Sequence, residues 1–225
     1  MNELLTTHPR VLLRSSYIAL ESKSHIRDNN CKSGKRNGRI REMWDSVNKR
    51  CRQSFWTKRP TYAGTTNGFA GYPEFVETVS KLMCKADLVS LEGLELDKDL
   101  LSKGKKTYSP STVMLLPRVI NFALSKLTPS SKNNTGETGI SYRQNKKTQS
   151  YTVKVRKSDG KQVNKTFVTL EAAKRCYLEI TSLRWKGYLA LYGRSIKSQS
   201  VLAYQILKKL TEPFSLGVTM CEFTK

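Results

Sequence analysis

The chain has 225 residues, with 40 Lys and Arg against 18 Asp and Glu, a formal net charge of +22 and a pI near 9.9. With 38% hydrophobic residues, a mean hydropathy of −0.51 and no apolar run longer than a few residues, it offers no membrane-spanning helix, yet it is long enough for one or two cored domains. The five cysteines, Cys31, Cys51, Cys84, Cys176 and Cys221, form no CxxC pair and so indicate neither a zinc knuckle nor a disulfide framework.

Such a cationic excess repels itself unless a polyanion neutralises it, so nucleic acid is the expected partner. The charge is uneven: Lys and Arg outnumber Asp and Glu by 14 to 5 in residues 1–60, balance them 7 to 7 in 61–125, and exceed them 19 to 6 in 126–225. A neutral centre between two basic flanks fits an acidic metal-binding core held by phosphate-gripping arms.

In chain order, residues 1–41 form a basic arm. Val11, Leu12, Leu13, Tyr17, Ile18 and Leu20 show a mild periodicity that fits either a helix or a strand. Residues 28–41, with Lys35 and Arg36, read as a glycine-containing linker able to follow a DNA backbone. His8 and His25 read as surface residues. Residues 42–55 carry Met43, Trp44, Val47, Cys51 and Phe55 at helical spacing. Residues 57–73 hold too many glycines and prolines for long regular structure. Pro73 then opens a helix through Met83, with Phe75, Val76, Val79, Leu82 and Met83 as its stripe.

Residues 95–124 organise the chain. A first short strand ends in Asp97, Lys98 and Asp99, residues 103–106 turn the chain and carry Lys105 and Lys106 as candidate DNA contacts, 113–116 is an apolar strand, and Pro117 suits the first turn of a helix. The resulting ββα order can aim Asp97 and Asn121, both hard oxygen ligands, at one Mg²⁺ or Mn²⁺. Here the sequence resembles the phage-encoded HNH (ββα-metal) homing-type nucleases. Asp97 falls at that family's Asp and Asn121 at its last Asn, with Leu-Asp-Lys-Asp followed by Tyr-Ser-Pro between them. Trp44 with Arg50-Cys51 resembles a Trp…Arg-Cys signature preceding that motif. Lys98 stands where the family has His, and Thr112-Val113 where it has Asn-Leu, so the general base and the positioning amide are both replaced. The resemblance implies Asp97 and Asn121 as metal ligands, Asp99 or ionised water as base, Lys98 as an electrostatic clamp on the phosphate, and the cytoplasm of a bacterial host as the place of action.

Residues 127–138, polar and aperiodic, read as a linker. Beyond them 139–144, 149–157 and 161–168 read as three strands, the last two joined by Ser158-Asp159-Gly160, and Thr169 caps a helix bearing Ala173, Cys176, Tyr177, Ile180 and Leu183. Three strands with a helix behind them resemble the ethylene-response-factor (Apetala-type) DNA-binding domain, on Gly139-Ile140, the junction 166–173 and Tyr177. Cys176 stands where that family has Ala. The resemblance implies a sheet face in the major groove, with Thr152, Lys154 and Arg156 pointing outward, flanked by Arg143 and Lys165, and arginines as the likelier base readers. After Arg184 the helical pattern is expected to break near Gly187 and Gly193, with a second amphipathic segment around Val201–Leu210.

The expected fold is α+β: an HNH-like ββα-metal domain over 42–126, an ethylene-response-factor-type domain over 139–187 and a helical extension over 188–225. The expected function is metal-dependent cleavage of double-stranded DNA. A binding protein that keeps the scaffold without cutting is the alternative, and an RNA binder a third.

Overall fold

The computed structural model describes residues 38–102, 104–130, 132–145 and 148–212; the arm up to residue 37, with Lys35 and Arg36, lies outside them. The architecture is mixed α+β, and the described residues divide into two compact units, one within 38–118 and 195–201, the other within 119–194 and 202–212.

In the first unit, helix α1 (Arg39–Arg50) buries Ile40, Met43 and Val47. The expected helix over 42–55 is broken at Arg52, whose extended backbone restarts a single turn, α2 (Gln53–Trp56). A 3₁₀ turn (Pro60–Tyr62) leads to β1 (Thr66–Asn67). Helix α3 (Tyr72–Lys85) has its proline in the first turn and buries Phe75, Val79, Leu82 and Met83, as the spacing predicts. Trp44 lies 5.2 Å from the Phe75 ring and 6.4 Å from Phe69, so α1 and α3 share an aromatic core.

Strand β2 (Leu94–Asp97) pairs antiparallel with β4 (Met114–Pro117), Asp97 opposite Met114. All four residues of β4 are buried, which explains why its sequence is continuously apolar. Between them β3 (Thr107–Tyr108) pairs parallel with β1. Gly68 permits that pairing, because a Cβ there would stand 3.1 Å from the Thr107 methyl and 3.3 Å from the Tyr108 carbonyl. The outer edge of β4 is closed by a side chain: the Gln199 carboxamide accepts from Leu115 N–H at 2.8 Å and donates to its carbonyl at 3.0 Å, as a neighbouring strand would. Pro117 ends β4, and helix α4 (Arg118–Leu124) begins one residue later than the sequence suggests.

In the second unit, β5 (Ile140–Gln144), β6 (Gln149–Arg156) and β7 (Gln162–Phe167) form an antiparallel sheet in that order. Its inner face, with Ile140, Val153 and Val155, packs on Ala173 and Tyr177 of helix α5 (Leu170–Gln199). Gly139 enters β5 with φ +70°, and a Cβ there would drive into the Tyr177 ring. The polar stretch before β5 is tightly bonded: Asn133 donates to the carbonyls of Glu137 and Ile140 at 2.9 and 3.0 Å.

Helix α5 runs unbroken through Gly187 and Gly193, against the expected interruption. Both glycines serve close approach: a Cβ on Gly187 would stand 2.5 Å from Ser158 Oγ, and one on Gly193 3.2 Å from the Tyr204 ring. Helix α6 (Val201–Lys209) follows after Ser200.

Candidate functional sites

The end of β2 carries the acidic group. Asp97 is 6% exposed and Lys98 4%. The Asp97 carboxylate accepts from Leu100 N–H at 2.9 Å. Burial is the main reason that its carboxyl is pushed up from 3.8 to about 6; the nearby Asp99 charge adds to the rise, while the Leu100 amide and Lys98 oppose it. Asp99 is exposed, and its carboxylate receives the Lys98 ammonium in an ion pair.

Lys98 Nζ also lies 5.4 Å from the centre of the Tyr108 ring, which β3 places beneath it. The buried Tyr108 hydroxyl accepts from Arg50 Nη1 at 2.9 Å, and burial pushes that phenol up to about 12. Burial would lower Arg50, but Tyr108, Tyr62 and Glu95 together outweigh it and the guanidinium ends above its ordinary value. Cys51, half-buried beside these groups, is pushed up by burial against the pull of Lys98 and Arg50. A chain of contacts thus runs from α1 through Arg50, Tyr108 and Lys98 to Asp99. Sequence reading gave Tyr108 no role; its signal is a tyrosine immediately after a lysine-rich turn, which only the pairing of β1 with β3 turns inward.

Thr112, at the position where the resembled family has its middle Asn, is committed to its own turn: its hydroxyl donates to the Thr107 carbonyl at 2.7 Å and accepts from Ser109 N–H at 2.9 Å. Asn121 lies half-buried on α4 and belongs to the second compact unit, whereas Asp97 belongs to the first. Lys105 and Lys106 are exposed, and Lys106 Nζ donates to the Ala63 carbonyl at 2.9 Å.

The residues of β2 suit a hard cation in one respect: Asp97 is a buried oxygen donor. No three His, Cys, Asp or Glu side chains converge among the described residues. Asp97 could hold a Mg²⁺ or Mn²⁺ ion whose shell phosphate and water would complete.

On the sheet, the register sorts the candidate DNA contacts. Arg143 faces Ser150, Thr152 lies between Ser141 and Thr166, Lys154 faces Asn164, and Arg156 faces Gln162. These make one continuous polar face with three exposed cations and no acid. Lys165 does not belong to it: it pairs with Val153, in the row that carries Tyr151 and Phe167. Its exposure comes from lying on an edge strand, and the period of two, counted across the β6–β7 turn, puts it on the opposite side from Lys154.

A scan against protein-family models and searches of curated proteins and of solved structures each return no match to the chain.

Proposed function

We propose that the chain is a DNA-binding protein that hydrolyses phosphodiester bonds with a divalent metal, in the manner of a phage HNH-type endonuclease acting inside a bacterial host. The observation that supports this reading best is Asp97, a carboxylate buried at a strand end with its pKa raised by desolvation, beside Lys98 and an exposed second carboxylate. When bound, the cation supplies Lewis acidity to the scissile phosphate. Asp97 holds it. Asp99 accepts the proton of the attacking water, and Lys98, released from its ion pair as phosphate arrives, balances the charge on the phosphate. The acid-free sheet face, with Arg143, Lys154 and Arg156, grips the duplex.

A second reading, DNA binding without cleavage, draws on a different observation: the Lys98 ammonium is held by Asp99 and the Tyr108 ring, an arrangement that serves stability equally well. Supercoiled plasmid incubated with the full chain and Mg²⁺ or Mn²⁺ separates the two. Nicking that chelation stops and Asp97→Ala abolishes supports the nuclease. A wild-type chain that does not nick, or nicking that survives Asp97→Ala, overturns it.

A further inference from the structure

The cations of the first unit divide into two kinds. Those early in α1 are matched by acids: Arg39 pairs with Glu42 at 3.0 Å and Arg41 with Asp45 at 3.2 Å. After Asp45 the matching stops, since residues 46–73 contain five Lys and Arg and no Asp or Glu, and residues 100–118 contain no acid either. The parallel pairing of Thr66 with Thr107 and Asn67 with Tyr108, together with the bond from Lys106 to Ala63, brings these two acid-free stretches side by side. Lys49, Arg52, Lys58, Arg59, Lys105 and Lys106 are all exposed, and among the described residues none of them forms an ion pair with a carboxylate.

Aromatic rings interleave with these cations. Lys49 Nζ lies 5.6 Å over the Phe55 ring, Arg50 lies 5.5 Å over Tyr62, and the Phe55 and Tyr62 rings are 5.5 Å apart. Trp56 is fixed by a 2.8 Å bond from its indole N–H to the Arg50 carbonyl. So the patch has an aromatic floor, and it adjoins the strand end through Arg50 and Tyr108. Unmatched like charges crowded on one surface are unfavourable unless a polyanion lies against them.

We infer that this surface, residues 49–62 with Lys105 and Lys106, is a second DNA contact, which binds the phosphate backbone of duplex DNA without reading bases. It rests on the DNA-binding reading above and extends it: the first unit carries its own grip on the strand beside Asp97, and the sheet is not the sole anchor.

The test is fluorescence anisotropy of the full chain with labelled duplexes of two unrelated sequences, over a range of salt concentrations and without divalent metal. Each backbone contact removed lowers the slope of log affinity against log salt by about 1. Arg52→Gln, Lys58→Gln and Arg59→Gln combined should therefore flatten the slope by about 3, equally for both sequences. The Lys-for-Arg versions at 52 and 59 should keep the wild-type slope, because a phosphate needs charge and no particular fork. A wild-type slope in the triple variant, with Lys154→Gln and Arg156→Gln weakening binding in parallel, overturns the second contact and leaves DNA binding standing. Loss confined to one sequence, or to RNA of the same sequence, also overturns it. Failure of the wild-type chain to bind any duplex overturns the DNA-binding reading itself.

Discussion

Replacing Asp97 by Asn removes a buried anion while keeping an acceptor for the Leu100 amide, and its effect on stability can be worked from the structure. The carboxyl is pushed from 3.8 to about 6, chiefly by burial. A carboxyl that holds its proton more tightly when folded than when unfolded makes the folded state bind more protons in that interval, so stability declines as pH rises from about 4 to about 6 and stays low above it. At 1.36 kcal/mol per decade, a gap of a little over two decades amounts to about 3 kcal/mol at neutral pH as an upper bound. Asp97→Asn should therefore be more stable than the wild type by about 1 to 3 kcal/mol near pH 7.5, and the difference should vanish near pH 4.

Urea unfolding of both proteins across that range, followed by far-ultraviolet circular dichroism, measures the difference directly. A variant no more stable at neutral pH, or a gap that ignores pH, refutes the burial argument. Divalent metal adds a second arm. A cation that binds the folded chain through Asp97 at one hundred times its dissociation constant contributes about 2.7 kcal/mol, enough to offset most of the burden. Mn²⁺ should thus stabilise the wild type near pH 7.5 and leave Asp97→Asn unchanged; equal stabilisation of both would show that Asp97 is no ligand.

Two further substitutions probe the supporting structure. Tyr108→Phe keeps the ring under Lys98 but strips Arg50 of its acceptor, which should cost about 1 to 2 kcal/mol by urea unfolding; an unchanged midpoint would mean that water replaces the hydroxyl. Gly187→Ala would normally stabilise a helix interior by about 1 kcal/mol, but here the added methyl meets Ser158 at 2.5 Å. The expected result is a loss of about 1 to 3 kcal/mol, partly recovered by Ser158→Gly, and a stabilised single variant would contradict the packing described.

What the sequence disclosed and what it hid follow from range. The strands of the second unit were legible because Tyr151, Val153 and Val155 alternate cleanly with Thr152, Lys154 and Arg156, and α3 because its stripe repeats over four turns. Periodicity is a local property, and these elements bury one face each. The two-residue strands β1 and β3 carry no period at all; they form because Gly68 lets Thr107 and Tyr108 approach, a contact across about forty residues of chain. The same holds for Gly187 and Gly193, which look like helix breakers until Ser158 and Tyr204 are seen against them. Of the candidate site, Asp97, Lys98 and Asp99 could be picked out by residue type. Their burial, and the Arg50 and Tyr108 contacts beneath them, could not.

Polar residues were the hardest to interpret, because the fold consumes many of them for its own needs. Asn134, in a stretch that reads as a linker, donates to the Tyr142 carbonyl at 2.8 Å and accepts from its N–H at 2.9 Å, closing the open edge of β5 as Gln199 closes that of β4. Thr112 and Asn133 are committed to turns in the same way. Subtracting such groups changes what counts as a functional signal: a polar side chain that already satisfies a strand edge or a turn says nothing about a ligand, however suggestive its position in a motif. By that criterion Thr112 says nothing about the chemistry, Asp97 is set apart by a burial that its bond from Leu100 only partly offsets, and the weight shifts to cations that form no ion pair among the described residues. Such cations include those on the outer face of β5–β7 and on residues 49–62, two surfaces in different units that each carry no acid, and a polyanion is the partner that would supply the missing charge.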